Sequence, residues 1–103
     1  MENQKQQFIY VLKPCQRLLD NTCTKEDEQI IHNHFQYLQQ LSQEGKVVLA
    51  GRTLVMDEST FGIVILEVDE EEEGRSIMEN DPAIKYNLMT SSFYPYHIAI
   101  IRG

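Results

Sequence analysis

Histidine, aspartate and cysteine carry the widest chemistry in this chain, and each matters only if its neighbours bring it to a useful place. His34 stands out. At about 100° per residue along a helix it falls between Ile30 and Leu38, inside an apolar stripe that has to face a core. A carboxylate beside an imidazole so placed would fix its tautomer and stabilise its protonated form, as general acid/base work requires. The same position suits a core histidine bonded to a backbone carbonyl, and the helix alone leaves both readings open. Asp81, in the run Asn80, Asp81, Pro82, Ala83, is the candidate carboxylate. Asp before Pro also caps the short helix that the proline opens. Spacing along the chain does not show whether the two side chains meet.

Other chemistry-bearing residues form weaker patterns. His32 lies off the apolar face and His97 on the expected last strand, so the histidines lack zinc-ligand spacing and no metal is expected. The acidic run Asp69 to Glu73 lacks the glycine and alternating ligands of a calcium loop and reads as the start of a helix. Cys15 and Cys23 form no CxxC pair, and the opening MENQKQQ carries no apolar leader. A reduced, cytoplasmic setting is expected.

Nine Lys plus Arg stand against sixteen Asp plus Glu, a net charge of −7 that would repel a phosphate backbone. Nucleic acid is therefore an unpromising partner, although a small anion can still find a local cationic pocket. No apolar run approaches the ~20 residues of a membrane-spanning helix. A chain of 103 residues that is 42% hydrophobic has the size of a single domain, residues 1–103, and can build one core.

The elements that must hold these residues follow from pattern. Phe8 to Leu12, inside Gln7 to Lys13 and stopped by Pro14, reads as a central strand buried on both faces. Cys15 to Thr24 reads as a loop. Thr24, followed by Lys25, Glu26 and Asp27, caps a helix whose apolar positions are Ile30, Ile31, Phe35, Leu38 and Leu41, with Gly45 just past its end. Lys46 to Ala50 is a strand broken by Gly51, and Thr53 to Thr60 turns into a second strand, Phe61 to Val68, to form a hairpin. Glu70 to Asn80 is a polar helix with Ile77 and Met78 inward, Pro82 opens a further short helical piece, and Tyr94 to Ile101 is the last strand. Strand, helix, strand, strand, helix, strand is a ferredoxin-like α+β order with both helices on one face of an antiparallel sheet. The other face is largely apolar, so a homodimer through that open face is expected.

Taken together, His34 to Gly45, Val48 to Gly51, Glu67 with Val68, Asn80 to Lys85, and Tyr94, Pro95, Tyr96 resemble the YCII-related (YciI-like) family of the dimeric α+β barrel superfamily. The resemblance implies a protomer whose sheet packs on a second sheet, a pocket between sheet and helices, and a His/Asp dyad falling on His34 and Asp81. The usual glycine after the Asp-Pro segment is Asn87 here, a residue that tolerates positive φ. The position after Gly51, often proline in relatives, is Arg52, which sets a guanidinium near the pocket mouth.

The family's chemistry is mostly unassigned, with acid/base catalysis suspected and a dehydrochlorinase known among related proteins. The resemblance thus implies a cofactor-independent enzyme, a lyase, isomerase or hydrolase, acting on a small organic molecule. His34 would move the proton and Asp81 would orient it. Tyr10 and Tyr86 are candidate pocket residues, set against the ordinary reading of such aromatics as core. The alternative is a non-catalytic module of the same fold that binds a small molecule or completes an assembly.

Overall fold

The computed structural model describes residues 5–103. The polar opening segment read above for the absence of a leader therefore lies partly outside the described residues. The first strand, β1 (Gln6–Pro14), buries Phe8, Tyr10 and Leu12 on one face. Ile9 and Val11, on the other face, are only half-buried. The expectation of a strand buried on both faces is thus corrected: helices cover one side of the sheet, and among the described residues no element covers the other.

The expected loop after Pro14 contains one helical turn, α1 (Gln16–Leu19). A single turn is too short to show a periodicity, which is why its sequence reads as loop. Cys15 anchors it, donating its N–H to Leu88 O at 2.8 Å and accepting from Leu18 N at 3.1 Å. The long helix α2 (Lys25–Gln43) begins where expected. Thr24 Oγ1 accepts from Asp27 N at 3.1 Å and Asp27 Oδ2 accepts from Thr24 N at 3.0 Å, so the first turn's donors are satisfied reciprocally. Arg17 of α1 also grips Asp27 with two N–H donors at 2.9 and 3.1 Å. These bonds hold the Asp27 carboxyl down at about 2, with the Arg17 hydrogen bonds the largest cause.

At its other end α2 closes in a Schellman turn: Gly45 sits at φ +79°, Gly45 N donates to Ser42 O at 3.0 Å and Lys46 N to Leu41 O at 2.9 Å. Two strands follow, β2 (Val47–Arg52) and β3 (Gly62–Val68), paired antiparallel with an irregularity between Val47 and Leu49. Gly51 was expected to end β2, yet it pairs with Ile63 and the strand runs on to Arg52. On an edge strand a glycine weakens the ladder without stopping it.

Helix α3 (Glu71–Asn80) lies over β1 and β4, and its Gly74 permits the approach, because a Cβ there would meet the Phe93 ring at 3.1 Å. The one-turn helix α4 (Pro82–Lys85) ends ahead of Asn87 at φ 63°, the left-handed position foreseen for that residue. The last strand, β4, is Met89–Tyr96, five residues earlier than Tyr94 to Ile101. It pairs with β1 from Met89 opposite Pro14 to Tyr96 opposite Gln7. Beyond that point β1 has no more length to offer, and the alternating tail carrying His97 and Ile100 lies outside the sheet.

The sheet order is β2-β3-β1-β4 with the helices on one face, the ferredoxin-like α+β fold. Phe8, Tyr10, Leu12, Val64 and Leu66 of the sheet meet Leu38 and Leu41 of α2 and Ile77 and Met78 of α3 in the core. Among the described residues no helix is long and apolar enough to cross a membrane.

The Asp27 grip has a pH signature. A carboxyl held lower in the folded chain than in the unfolded one stabilises the fold above the ordinary carboxylate range, and that contribution is lost as pH falls towards about 2. Acid unfolding followed by circular dichroism should therefore begin at higher pH in Arg17→Ala than in the parent chain, and superimposable acid transitions would show that the pair contributes nothing.

Candidate active site

Asp81 has no solvent exposure and ends α3 while beginning α4. Its Oδ1 accepts from Ala83 N at 3.0 Å, which is the expected cap on the helix that Pro82 opens. The same oxygen lies 2.6 Å from His34 Nδ1, and Oδ2 accepts from the Tyr10 hydroxyl at 2.8 Å. The cap and the histidine partner, posed above as competing readings, are one side chain. His34 is not bonded to a backbone carbonyl.

Tyr10 is fully buried, and burial first, then the charge and hydrogen bond of Asp81, push its phenol well above the usual range. Tyr37, whose hydroxyl donates to Ile77 O at 2.7 Å, is pushed up to about 12 by burial and then by Asp81. Both phenols therefore stay protonated, and the Tyr10 hydroxyl is the one that donates to the carboxylate. With Asp81 Oδ1 as acceptor, the tautomer that satisfies the contact carries its proton on His34 Nδ1. Nε2 is then the nitrogen with a lone pair to use.

That nitrogen has no hydrogen-bond partner among the described residues, and no fully enclosed side-chain nitrogen or oxygen is left unpaired. Nε2 must therefore reach open space. The space is a cavity of about 570 Å³ that His34 lines. Ile31, Phe35 and Leu38 of α2 form one wall, Leu12, Val47 and Val64 the floor, Leu18 and Leu19 of α1 one end, and Met56 and Phe61 of the β2–β3 connection the other.

Phe35, expected in the core, is 55% exposed, because the stripe it belongs to faces the cavity there rather than packed side chains. Its ring stands 5.2 Å from that of His34, tilted by 58°. In the sequence Met56 belongs to a turn and Phe61 to a strand, and nothing local to either signals a cavity. For Phe35 the signal existed, since it adjoins His34 on the same helix.

Arg52 is among the residues that line the cavity. Tyr10 does not line it, and its hydroxyl points to Asp81 from behind the dyad, so a contact with a bound molecule is replaced by a supporting one. Tyr86 is 57% exposed at the end of α4 and lies outside the lining as well, because the chain turns outward there towards Asn87. His32 is exposed on α2 and His97 lies beyond β4. Among the described residues no three metal-ligating side chains gather at one place.

The profile of the YCII-related domain matches residues 7–92. The chain belongs to the YCII-related family. Among solved structures it is similar to 5-chloro-2-hydroxyhydroquinone dehydrochlorinase (TftG) from Burkholderia phenoliruptrix AC1100, in complex with 2,5-dihydroxybenzoquinone. The two share 22% identity and a TM-score of 0.65, over 88% of this chain and 93% of the other. It is also similar to the uncharacterized protein TM1266 from Thermotoga maritima, at 11% identity and TM-score 0.52, over 91% of this chain and 100% of that one. No curated protein matches the sequence. The YCII-related match begins in β1 and ends in β4, so it spans Tyr10, His34 and Asp81.

Tyr10→Phe tests the network without opening a cavity, because the ring stays and one bond to a buried carboxylate is lost. A destabilisation of about 1.5–3 kcal/mol is expected in urea unfolding. A change below about 0.5 kcal/mol would mean that Asp81 does not depend on the phenol.

Proposed function

We propose that this YCII-related protein is a small enzyme that moves protons on a small organic molecule, with His34 as the acid/base group and Asp81 as its positioning partner. The observation that carries this reading is the 2.6 Å contact of His34 Nδ1 with Asp81, on an imidazole whose other nitrogen opens on the cavity. In this reading Nε2 takes a proton from an acidic C–H or O–H of the bound molecule. The N–H bond forms, the electron pair stays on the substrate as an enolate or phenolate, and the imidazolium is held by the carboxylate.

Return of the proton to a neighbouring atom completes an isomerisation. Loss of a leaving group from the anion completes an elimination, and proton removal from water would serve a hydrolysis. None of these consumes an oxidant or needs a cofactor. The dehydrochlorinase named among the structural neighbours falls in the elimination class by its name, which supports a lyase reading. Two free cysteines fit a reducing, cytoplasmic setting.

A second copy belongs in the same reading. On the open face Ile9, Val11 and Ile63 are half-buried, and Leu49, Tyr94 and Tyr96 are 45%, 52% and 42% exposed. A two-fold partner laying the same face on this one would cover them all. Sedimentation equilibrium is expected to give twice the 12.0 kDa protomer mass, and a stable 12.0 kDa species at micromolar concentration would remove the dimer from the proposal.

The chemistry is tested by hydrogen–deuterium exchange at carbon, followed by NMR in deuterium oxide, with phenylpyruvate and 5-chloro-2-hydroxyhydroquinone as probes. Exchange or chloride release should fall about 100-fold or more in His34→Gln. A folded His34→Gln chain as active as the parent would sink the acid/base role, and binding without any turnover would leave a ligand-binding module.

A further inference from the structure

The cavity wall is mostly apolar, with Gln39, Ser42 and Thr60 as its neutral polar side chains, and although the chain holds sixteen Asp plus Glu, no carboxylate lines it. Its one fixed cation is Arg52. The placement of that residue is a consequence of register. Arg52 pairs with Gly62 and Gly62 with Leu12, so Arg52 shares the helix-covered side of the sheet with Leu12 and Val64 rather than the open side with Ile63. Gly62 keeps the space beside it clear, since a Cβ there would stand 3.2 Å from Gly51 O and 3.7 Å from Arg52 Cβ.

The guanidinium is barely occupied by the protein. Its Nη1 donates to Thr53 O at 3.2 Å, and among the described residues no Asp or Glu pairs with it. Lys5, Arg17, Lys46 and Arg75 by contrast all hold carboxylates. An unpaired fork of N–H donors at the edge of an apolar cavity, in a chain of net charge −7, is an arrangement complementary to one anionic group on an apolar body.

We infer that the molecule bound beside His34 is a small apolar carboxylic acid, its carboxylate held by Arg52 and its hydrocarbon or ring portion in the cavity. The inference rests on the proton-transfer reading and adds the substrate class to it. The carboxylate fixes one end of the molecule, so a carbon near it is presented to His34 while the apolar portion excludes water. Because Arg52 is itself exposed, the attraction is screened by salt, and affinity falls as ionic strength rises.

The experiment compares phenylpyruvate with phenylacetone, which keeps the ring and the enolisable CH2 but replaces the carboxylate by a methyl group. Binding is read by NMR titration of the intact chain. Phenylpyruvate should bind about tenfold more tightly than phenylacetone. Arg52→Gln, an exposed change on an edge strand, should erase that preference, and Arg52→Lys should restore part of it because a point charge lacks the fork.

Equal binding of the two ligands, a preference that survives Arg52→Gln, or no binding of phenylpyruvate up to about 10 mM would each overturn the inference. Carbon exchange separates it from the reading beneath it. Arg52-dependent binding with no His34-dependent exchange would keep the acid and discard the catalysis. His34-dependent exchange of phenylacetone as fast as that of phenylpyruvate would keep the catalysis and discard the acid.

Discussion

A carboxylate shut away from water has to be surrounded by donors, and the arrangement of elements around Asp81 is the arrangement that supplies them. The donors come from three places: Tyr10 on β1, His34 on α2 and the backbone of Ala83 at the start of α4. Each is brought there by a different part of the fold, so the sheet, the long helix and the short one all converge on a single side chain. Deleting one donor from a buried carboxylate leaves an acceptor unsatisfied away from water, which typically costs about 1–3 kcal/mol or more. The contact between imidazole and carboxylate is therefore tied to the fold's own stability.

Features set by neighbours along the chain were legible in the sequence. The Thr24 cap, the Gly45 turn and the place of His34 in the stripe each depend on a few adjacent residues and local backbone preference, whereas the left-handed Asn87 came from the family resemblance. The ferredoxin-like order followed from them. What was not legible is what depends on distant partners. Tyr10 meets Asp81 across 71 positions, and no pattern around a strand tyrosine tells a core phenol from one that supports a carboxylate. The end of β4 is likewise decided by where β1 runs out. The alternation from Tyr96 to Ile100 is a good strand pattern with no strand left to pair with.

The cavity has the same origin. Ile31, Phe35 and Leu38 satisfy the helical period as any core stripe would, and a sequence does not distinguish a stripe that packs from one that borders a void. The distinction lies in the length of the β2–β3 connection, which carries Met56 and Phe61 over the end of the cavity instead of into the sheet. Thr53 and Thr60 hold that connection shut at its base through a hydroxyl contact of 2.7 Å and a backbone bond from Thr53 N to Phe61 O at 3.0 Å. The loop carries four apolar residues, Leu54, Val55, Met56 and Phe61, and two of these, Met56 and Phe61, form a wall.

The two faces of the sheet divide the work, and β1 belongs to both. Tyr10 points to the dyad, while its neighbours Ile9 and Val11 point to the open face. Because side chains alternate with a period of two, a slip of β1 by one residue would exchange these roles, sending the phenol outward and two aliphatic residues against the buried carboxylate. An apolar strand such as Phe8 to Leu12 gives little resistance to that slip, since either face would bury well. The hydrogen bond from Tyr10 to Asp81 supplies the resistance, because in the slipped register the carboxylate loses a donor that no isoleucine or valine can replace. The same bond that steadies the candidate catalytic pair thus selects the register that leaves Ile9 and Val11 on the open face.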